Sequence, residues 1–580
     1  MIQGRSLARQ LLLVLLFGLS PGEWHAAAMP PGGDGEAKPR TPPRLVVVVA
    51  IDQFPEEYLK RHDAGFSPTG VFRRLLAHGA HFTNCRHQQA LTFTGPGHSV
   101  LLTGAYPNTT GVIDNSWFDR TAGRMVNCVE DTEAPLVGAA GASPNDGRSP
   151  RNQLVPTVGD ELKLTSAGRA CVFGVSFKDR AAILMAGYLA DGVFWFDAAS
   201  GNWITSRYYA EQLPAYVQEI NAGQAAEAYA GKSWELRYPP ERYVAYRPDD
   251  SPFEQDLPPL GRNFPHPLPP QADSTYYKVL ASTPFANDLT LLLTRTLVEK
   301  EQLGQDEVPD MLFLGLSAND YVGHAFGPYS LEVQDVTYRT DAALGEFAAF
   351  LDQKVGENWV LVVSSDHGIA PIPEYAAQRG LPAAREPLGD LAALRKTLEE
   401  AVQAELGPAA GGKDYVQYVG EESVYLDTRL AELRGERYRV AQRVLRDRLL
   451  EHPAVAACFT REELLTTPAQ ANASDNADLA RRFALTFHPR RSGDVLFALR
   501  PYQMQTRQFA TTHGSPWEYD RHVVLLLAGP GIRAGGFDTP VSPAQIAPTV
   551  SHLLGIRDPA GCAVSPLADA LATKPAAVSP

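Results

Sequence analysis

Three short apolar runs constrain this chain more than any other feature. LVVVVAI (Leu45–Ile51), MLFLGLS (Met311–Ser317) and WVLVVSS (Trp359–Ser365) are continuous rather than alternating. Alternation marks a strand with one wet face. A β-branched run without it marks a strand buried on both faces, as in a parallel sheet covered by helices. Each run is too short to span a bilayer. CVFGVSF (Cys171–Phe177) and Gly192–Asp197 read the same way. Helical patterns lie between: Val71–Ala77 stopped by Gly79, a helix capped by Asn287 and running to about Leu303, and Leu331–Val355 stopped by Gly356. This rhythm predicts an α/β fold, a three-layer α/β/α sandwich around a mostly parallel central sheet.

In such a fold, ligand sites gather at the carboxyl ends of the strands. The residues found there are Asp52, then Lys178-Asp179-Arg180, then Asp320 and His324, then Asp366-His367-Gly368. Asp320 and His324 share a face if helical. Asp366 and His367 can meet one ion only where the chain turns, and Gly368 supplies the turn. In extended chain Lys178 and Arg180 share a face, with Asp179 opposite. Two cations on one face call for an anion between them. His513, in TTHGS, precedes a further strand, His522–Ala528.

Thr94 opens TGPGHSVLL, where Gly and Pro force a tight turn before a helix-compatible run. It would sit at a helix N-terminus, among free N–H groups that attract anions. Taken alone, Thr94 is as well read as an N-cap, Asn115 as a turn residue and Asp52 as a loop acid. Taken together, three Asp and three His without a Cys form a mixed N/O ligand set. That set suits two zinc ions better than calcium or an iron–sulfur cluster. Paired metals about 4 Å apart stabilise the entering and leaving oxygens of an in-line displacement. They would also activate the Thr94 hydroxyl, which is otherwise a weak nucleophile.

The 580 residues allow a large core and several structural units. A net charge of −14 argues against a nucleic-acid or anionic-membrane binder. Arg5 and Arg9, the apolar run Leu11–Leu19 and Ala26-Ala27-Ala28 form a secretory-signal pattern over 1–28, so the mature protein is expected to be exported, periplasmic or extracellular. A Pro/Gly-rich linker follows over 29–43. The catalytic core is read in three pieces, 44–197, 284–370 and 506–560. Two inserted cap regions interrupt it at 198–283 and 371–505, and 561–580 is a tail. The first insertion reads as irregular, the second as a small α+β subdomain. Five scattered cysteines exclude a zinc ribbon, and in an oxidising compartment they allow one or two bridges.

The motifs AIDQF, TGPGHS, DNSWFD, FKDRAAILMAG, TPFANDLT, SANDYVGHAFGP, SSDHG and THGS follow in order over roughly residues 45–530. In this the chain resembles the alkaline phosphatase superfamily, and within it the phosphate-irrepressible, PafA-type enzymes with a Thr nucleophile. The resemblance implies an alkaline phosphatase-like fold and hydrolysis of phosphate monoesters through a phospho-threonine intermediate. It implies Asp320, His324 and His513 around one zinc, and Asp52, Asp366, His367 and the Thr94 oxygen around the other. Asn115, Lys178 and Arg180 would bind the phosphoryl oxygens, with Lys178 where some relatives hold magnesium. His98 reads as structural. Small-molecule monoesters are the expected partners, with no duplex nucleic acid, no stable membrane insertion after signal cleavage, and a monomer favoured.

Alternatives remain at this point. A phosphodiesterase or nucleotide pyrophosphatase of the same superfamily would share the Thr, Asn and metal set, but Lys178 and Arg180 favour the dianionic group of a monoester. A sulfatase is excluded by the missing C/S-x-P-x-R motif. A non-catalytic phosphate- or metal-binding scaffold would have little use for the complete set of ligands, nucleophile and cations.

Overall fold

A computed structural model describes residues 42–572 except 142, 144–145 and 468–474. The expected signal segment and nearly all of the linker lie outside the described residues. A sheet of ten strands runs in the order Gly535–Phe537, Ala80–Phe82, Leu525–Ala528, Trp359–Ser364, Leu45–Ile51, Asp310–Leu316, Val172–Ser176, Gly192–Asp197, Asn202–Ser206, Leu136–Val137. The five from Trp359–Ser364 to Gly192–Asp197 are mutually parallel, and the apolar runs of the sequence supply them.

Alternate residues of each continuous run feed opposite layers. Val47, Val49, Leu312 and Leu314 pack on one face with Leu293, Leu297, Val336 and Phe347, from the helices Phe285–Lys300 and Leu331–Val355. Val46, Val48, Met311 and Phe313 pack on the other with Leu101, Ile183 and Val550, from the helices Thr94–Thr103, Asp179–Ala186 and Ile546–Leu554. Burying such a side chain is worth about 1.5–3 kcal/mol, so a strand apolar on both faces holds two layers at once.

The Leu525–Ala528 strand is antiparallel to Trp359–Ser364, with Leu525 opposite Ser364. Its start therefore lies at the edge where the parallel strands end. A loop preceding it, such as the one carrying His513, reaches the same edge from the opposite chain direction.

Four local expectations change. Lys178 and Arg180 do not share one face of an extended strand end: Lys178 is extended, but the helix Asp179–Ala186 starts directly after it and takes Arg180 into its first turn. An Ala-, Leu- and Met-rich run favours helix here over continued strand. Asn287 is not a cap but a buried residue inside Phe285–Lys300, bonding Asn319 and Thr340 and accepting from the Ala318 N–H. The first insertion begins with regular structure, because Asn202–Ser206 extends the main sheet. The expected tail places Leu567, Ala570 and Leu571 in the second apolar layer.

The second insertion contains a four-stranded antiparallel sheet in the order Val416–Val419, Ser423–Leu426, Val495–Leu499, Val455–Thr460. The helices Leu391–Leu406 and Gly435–Leu450 pack on it around a separate core. All five cysteines are free thiols. No helix among the described residues is long and apolar enough to cross a membrane.

Candidate active site

The strand ends converge as the pattern requires. Asp52 follows Ile51 at the end of the central strand, and its N–H bonds the Leu316 carbonyl of the neighbouring strand. Asp320 and His324 lie one turn apart on the helix Ala318–Phe326, with 3.3 Å between His324 Nε2 and Asp320 Oδ1. Asp366 and His367 leave the strand Trp359–Ser364 on a turn fixed by hydrogen bonds from the Gly368 and Ile369 N–H groups to the Asp520 and Tyr519 carbonyls. Asp52, Asp366 and His367 form one compact ligand group; Asp320, His367 and His513 form a second. His367 stands between them, its Nε2 3.5 Å from Asp52, 3.2 Å from Asp366 and 4.0 Å from Asp320. The His367 and His513 rings stack at 3.4 Å.

Each histidine is held by its far nitrogen. Nδ1 lies 2.8 Å from the Thr511 carbonyl in His324, 2.8 Å from that of Thr92 in His513 and 2.9 Å from that of Gly368 in His367. A carbonyl oxygen only accepts, so in the neutral ring Nδ1 carries the hydrogen and Nε2 faces the carboxylates with a free lone pair. This is the backing that metal-binding imidazoles use. The carboxylates are correspondingly under-bonded: both oxygens of Asp52 and Oδ2 of Asp366 are fully buried without a well-formed hydrogen bond. Buried carboxylate oxygens whose contacts are the Lys178 ammonium at 2.7 Å and the His98 and His367 rings at 3.2 Å, set among converging imidazole lone pairs, fit a pair of borderline dications.

The electrostatics agree. Burial, reinforced by the Asp320 and Asp366 charges, pushes Asp52 up to about 7. Burial opposes ionisation of Asp320 and Asp366 too. His324 and Lys178 outweigh it at Asp320, and His367 and His98 at Asp366, so both are held well below the usual carboxylate range. Burial lowers His367, but Asp366, Asp52 and Asp320 more than reverse this and bring it to about 9. The field that holds that proton would hold a dication in its place. His513 is driven well below its ordinary value, by burial and then by the neighbouring His367 and His324.

Thr94 begins the helix Thr94–Thr103 and makes no side-chain cap bond, so the N-cap reading falls. Its Oγ1 lies 3.4 Å from His367 Nε2 and 3.5 Å from Lys178 Nζ. Lys178 is buried and also meets Asp52 at 2.7 Å and Asp320 at 2.5 Å. Asn115 accepts the Gly95 N–H through Oδ1 at 2.7 Å, which fixes the amide and leaves Nδ2 as a free donor beside the helix start. The Arg180 side chain is 23 % exposed, and Asp179 beside it pairs with Arg148 at 2.7 Å.

Several contributors were not legible as site residues. Gln53 bonds Asp320 through its side chain and Asp366 through its backbone. His98, read as structural, bonds the Thr94 carbonyl and approaches Asp366 to 3.2 Å. Arg385, from the second insertion, binds the carbonyls of Thr506, Phe509 and Ala510 and so steadies the loop that presents Phe509 against His324. Only Gln53 and His98 carried a signal, their adjacency to Asp52 and Thr94.

Comparison with known proteins follows the same lines. A model of the type I phosphodiesterase / nucleotide pyrophosphatase family matches residues 46–512. The chain is 33% identical over 528 residues to the alkaline phosphatase PhoV of Synechococcus elongatus, covering 90% of this chain and 91% of that protein. It is 32% identical over 539 residues to a Myroides odoratus protein named calcium-transporting ATPase, covering 91% and 95%. The crystal structure of wild-type alkaline phosphatase PafA matches with a TM-score of 0.82 at 30% identity, covering 92% of this chain and 100% of that one.

Proposed function

The chain belongs to the type I phosphodiesterase / nucleotide pyrophosphatase family and is a hydrolase of the PafA-type alkaline phosphatases within it, and we propose that it cleaves phosphate monoesters through a phospho-Thr94 intermediate at a two-zinc site. The observation that carries this reading is the ammonium of Lys178 3.5 Å from the Thr94 hydroxyl. A cation beside the attacking atom favours a phosphoryl group with two negative charges, and a monoester has two where a diester has one.

Asp52, Asp366, His367 and the Thr94 oxygen would hold one zinc; Asp320, His324 and His513 would hold the other. When bound, the pair supplies Lewis acidity at the entering and leaving oxygens. Thr94 Oγ1 forms a bond to phosphorus as the bond to the leaving alcohol breaks. Asn115 Nδ2, Lys178 and Arg180 bind the non-bridging oxygens. Water then attacks the phospho-threonine, the P–Oγ1 bond breaks, and inorganic phosphate and free Thr94 result. His98 keeps the Thr94 backbone in place by bonding its carbonyl. The second insertion reaches the site's margin, where Glu421, Glu422 and Phe497 line a small cavity with His513, and that contact supports a role for the insertion in shaping the leaving-group side. Export rests on the signal-like first 28 residues, and N-terminal sequencing of the mature protein tests it.

The family description favours a second reading, diester or pyrophosphate cleavage. The two separate by kcat/KM for an aryl phosphate against its methyl diester, on zinc-loaded wild type and Lys178→Ala/Arg180→Ala. Monoesterase function predicts a large preference for the monoester, reduced about 10²–10³-fold or more in the double variant. A wild-type preference for the diester overturns it.

A further inference from the structure

We propose that Gln53 is a positioning residue that ties the two halves of the metal-ligand set together; this rests on the two-zinc reading. The chain leaves its central strand at Asp52, and Gln53 takes a left-handed backbone, φ 62°. Side chains other than glycine, asparagine and aspartate seldom adopt it. Gln53 is also buried, 2 % exposed, at a strand end where a glycine would relieve the strain. Something must hold a strained, buried amide there.

Two hydrogen bonds do. The left-handed turn aims the Gln53 N–H at Asp366 Oδ1, 3.2 Å away. The side chain runs the other way, and Nε2 donates to Asp320 Oδ1 at 2.8 Å. The backbone thus serves one ligand group and the carboxamide the other. Asp320 Oδ2 is already taken by Lys178 at 2.5 Å. Oδ1 is the oxygen nearest the histidines, 3.3 Å from His324 and 3.6 Å from His513. Gln53 therefore sets the carboxylate plane that decides which way Oδ1 points.

The neighbouring helix leaves room for this contact. A Cβ at Gly323, between Asp320 and His324, would stand 1.7 Å from Gln53 Oε1. The missing side chain is the slot that the carboxamide fills. Strain at residue 53 and a bare helix face at residue 323 thus serve one hydrogen bond to one carboxylate oxygen.

The side-chain contact can be cut in two independent ways while the backbone contact is kept. Gln53→Gly removes the carboxamide and keeps the N–H that holds Asp366. Gly323→Ala pushes the carboxamide aside without touching the Gln53 backbone. Both are compared with wild type by chelator competition for zinc and by melting of the metal-free chain, with Asp320→Ala identifying which zinc is which. Both variants should weaken the Asp320 zinc about 10–100-fold, the usual effect of losing a partner behind a ligand, and leave the other within about threefold. Metal-free Gln53→Gly should melt no lower than wild type, because glycine accepts the left-handed backbone. Unchanged affinity of both zincs in both variants overturns the proposal and makes Gln53 a space-filler. A wild type that binds no zinc pair overturns the two-zinc reading itself, and this proposal with it.

Discussion

Asp335 and Asp366 are both completely buried, and their surroundings are opposites. Asp335, on the helix Leu331–Val355, receives hydrogen bonds from Trp234 Nε1, the Arg237 N–H, the Tyr243 hydroxyl and Arg339 Nε. Three of those donors come from the first insertion, so Asp335 is the point where that insertion is pinned to the core. At the strand edge, Asp366 Oδ2 and both Asp52 oxygens lack well-formed hydrogen bonds and meet only the Lys178 ammonium and the His98 and His367 rings, all turned toward one point. Buried charge that satisfies itself holds the structure together; buried charge left open toward one point is there for something the chain does not itself supply.

The comparison can be broken at either end. Thr94→Ala should have the largest effect: turnover down at least about 10³-fold, with zinc retained by Asp52, Asp366 and His367 and melting temperature unchanged. Activity surviving in that variant would refute the covalent intermediate. Asp335→Ala should do the reverse, lowering stability by about 3 kcal/mol in urea unfolding while kcat stays within a few-fold, because it strands several buried donors at once.

Asp52→Asn should sharpen the contrast by stabilising the metal-free chain. Asp52 is raised to about 7 when folded, against about 3.9 unfolded. The folded form binds the proton more tightly, so its contribution is full below about pH 3.9 and is lost as pH rises through about 7. At pH 8 the wild type carries the whole penalty, on the order of 4 kcal/mol, and the variant should recover most of it; a loss would mean that the carboxylate is structural.

The smallest effect belongs to His62, buried against Tyr58 and Tyr338 with both ring nitrogens unpartnered. Burial, with the Arg61 charge, lowers it to about 3. Here the sign is opposite: the neutral ring is tolerated above about pH 6.5, and stability falls as the unfolded chain takes up a proton below that, reaching about 2 kcal/mol by pH 5. His62→Leu should flatten that part of the acid-stability curve; an unchanged slope would assign it to other groups.

What could be read in the sequence follows the same division. The parallel strands were legible because burial on both faces leaves no polar positions in the run. The helix Leu331–Val355 was legible to the residue because Gly356, at φ 78°, ends it. The residues terminating strands pointed at the site because chemistry at a sheet edge has to be carried there. Lys178 is extended as read, but Asp179 and Arg180 are helical, since the first residues after a strand look alike whether extended or helical. Arg385 and the left-handed turn at Gln53 left no trace, because each acts through geometry settled hundreds of residues away.

The central strand has a further consequence, in time rather than in space. Leu45–Ile51 pairs on one side with Asp310–Leu316 and on the other with Trp359–Ser364. During synthesis at about 5–20 residues per second, this most apolar segment waits roughly 15–50 s for its first neighbour. His513 arrives later still. A chain interrupted before residue 310 has a partnerless central strand, and one interrupted between residues 367 and 513 has both neighbours of that strand and the Asp52, Asp366 and His367 group, but lacks His513. The order of the chain itself delays completion of the second ligand group until almost the whole molecule has been made.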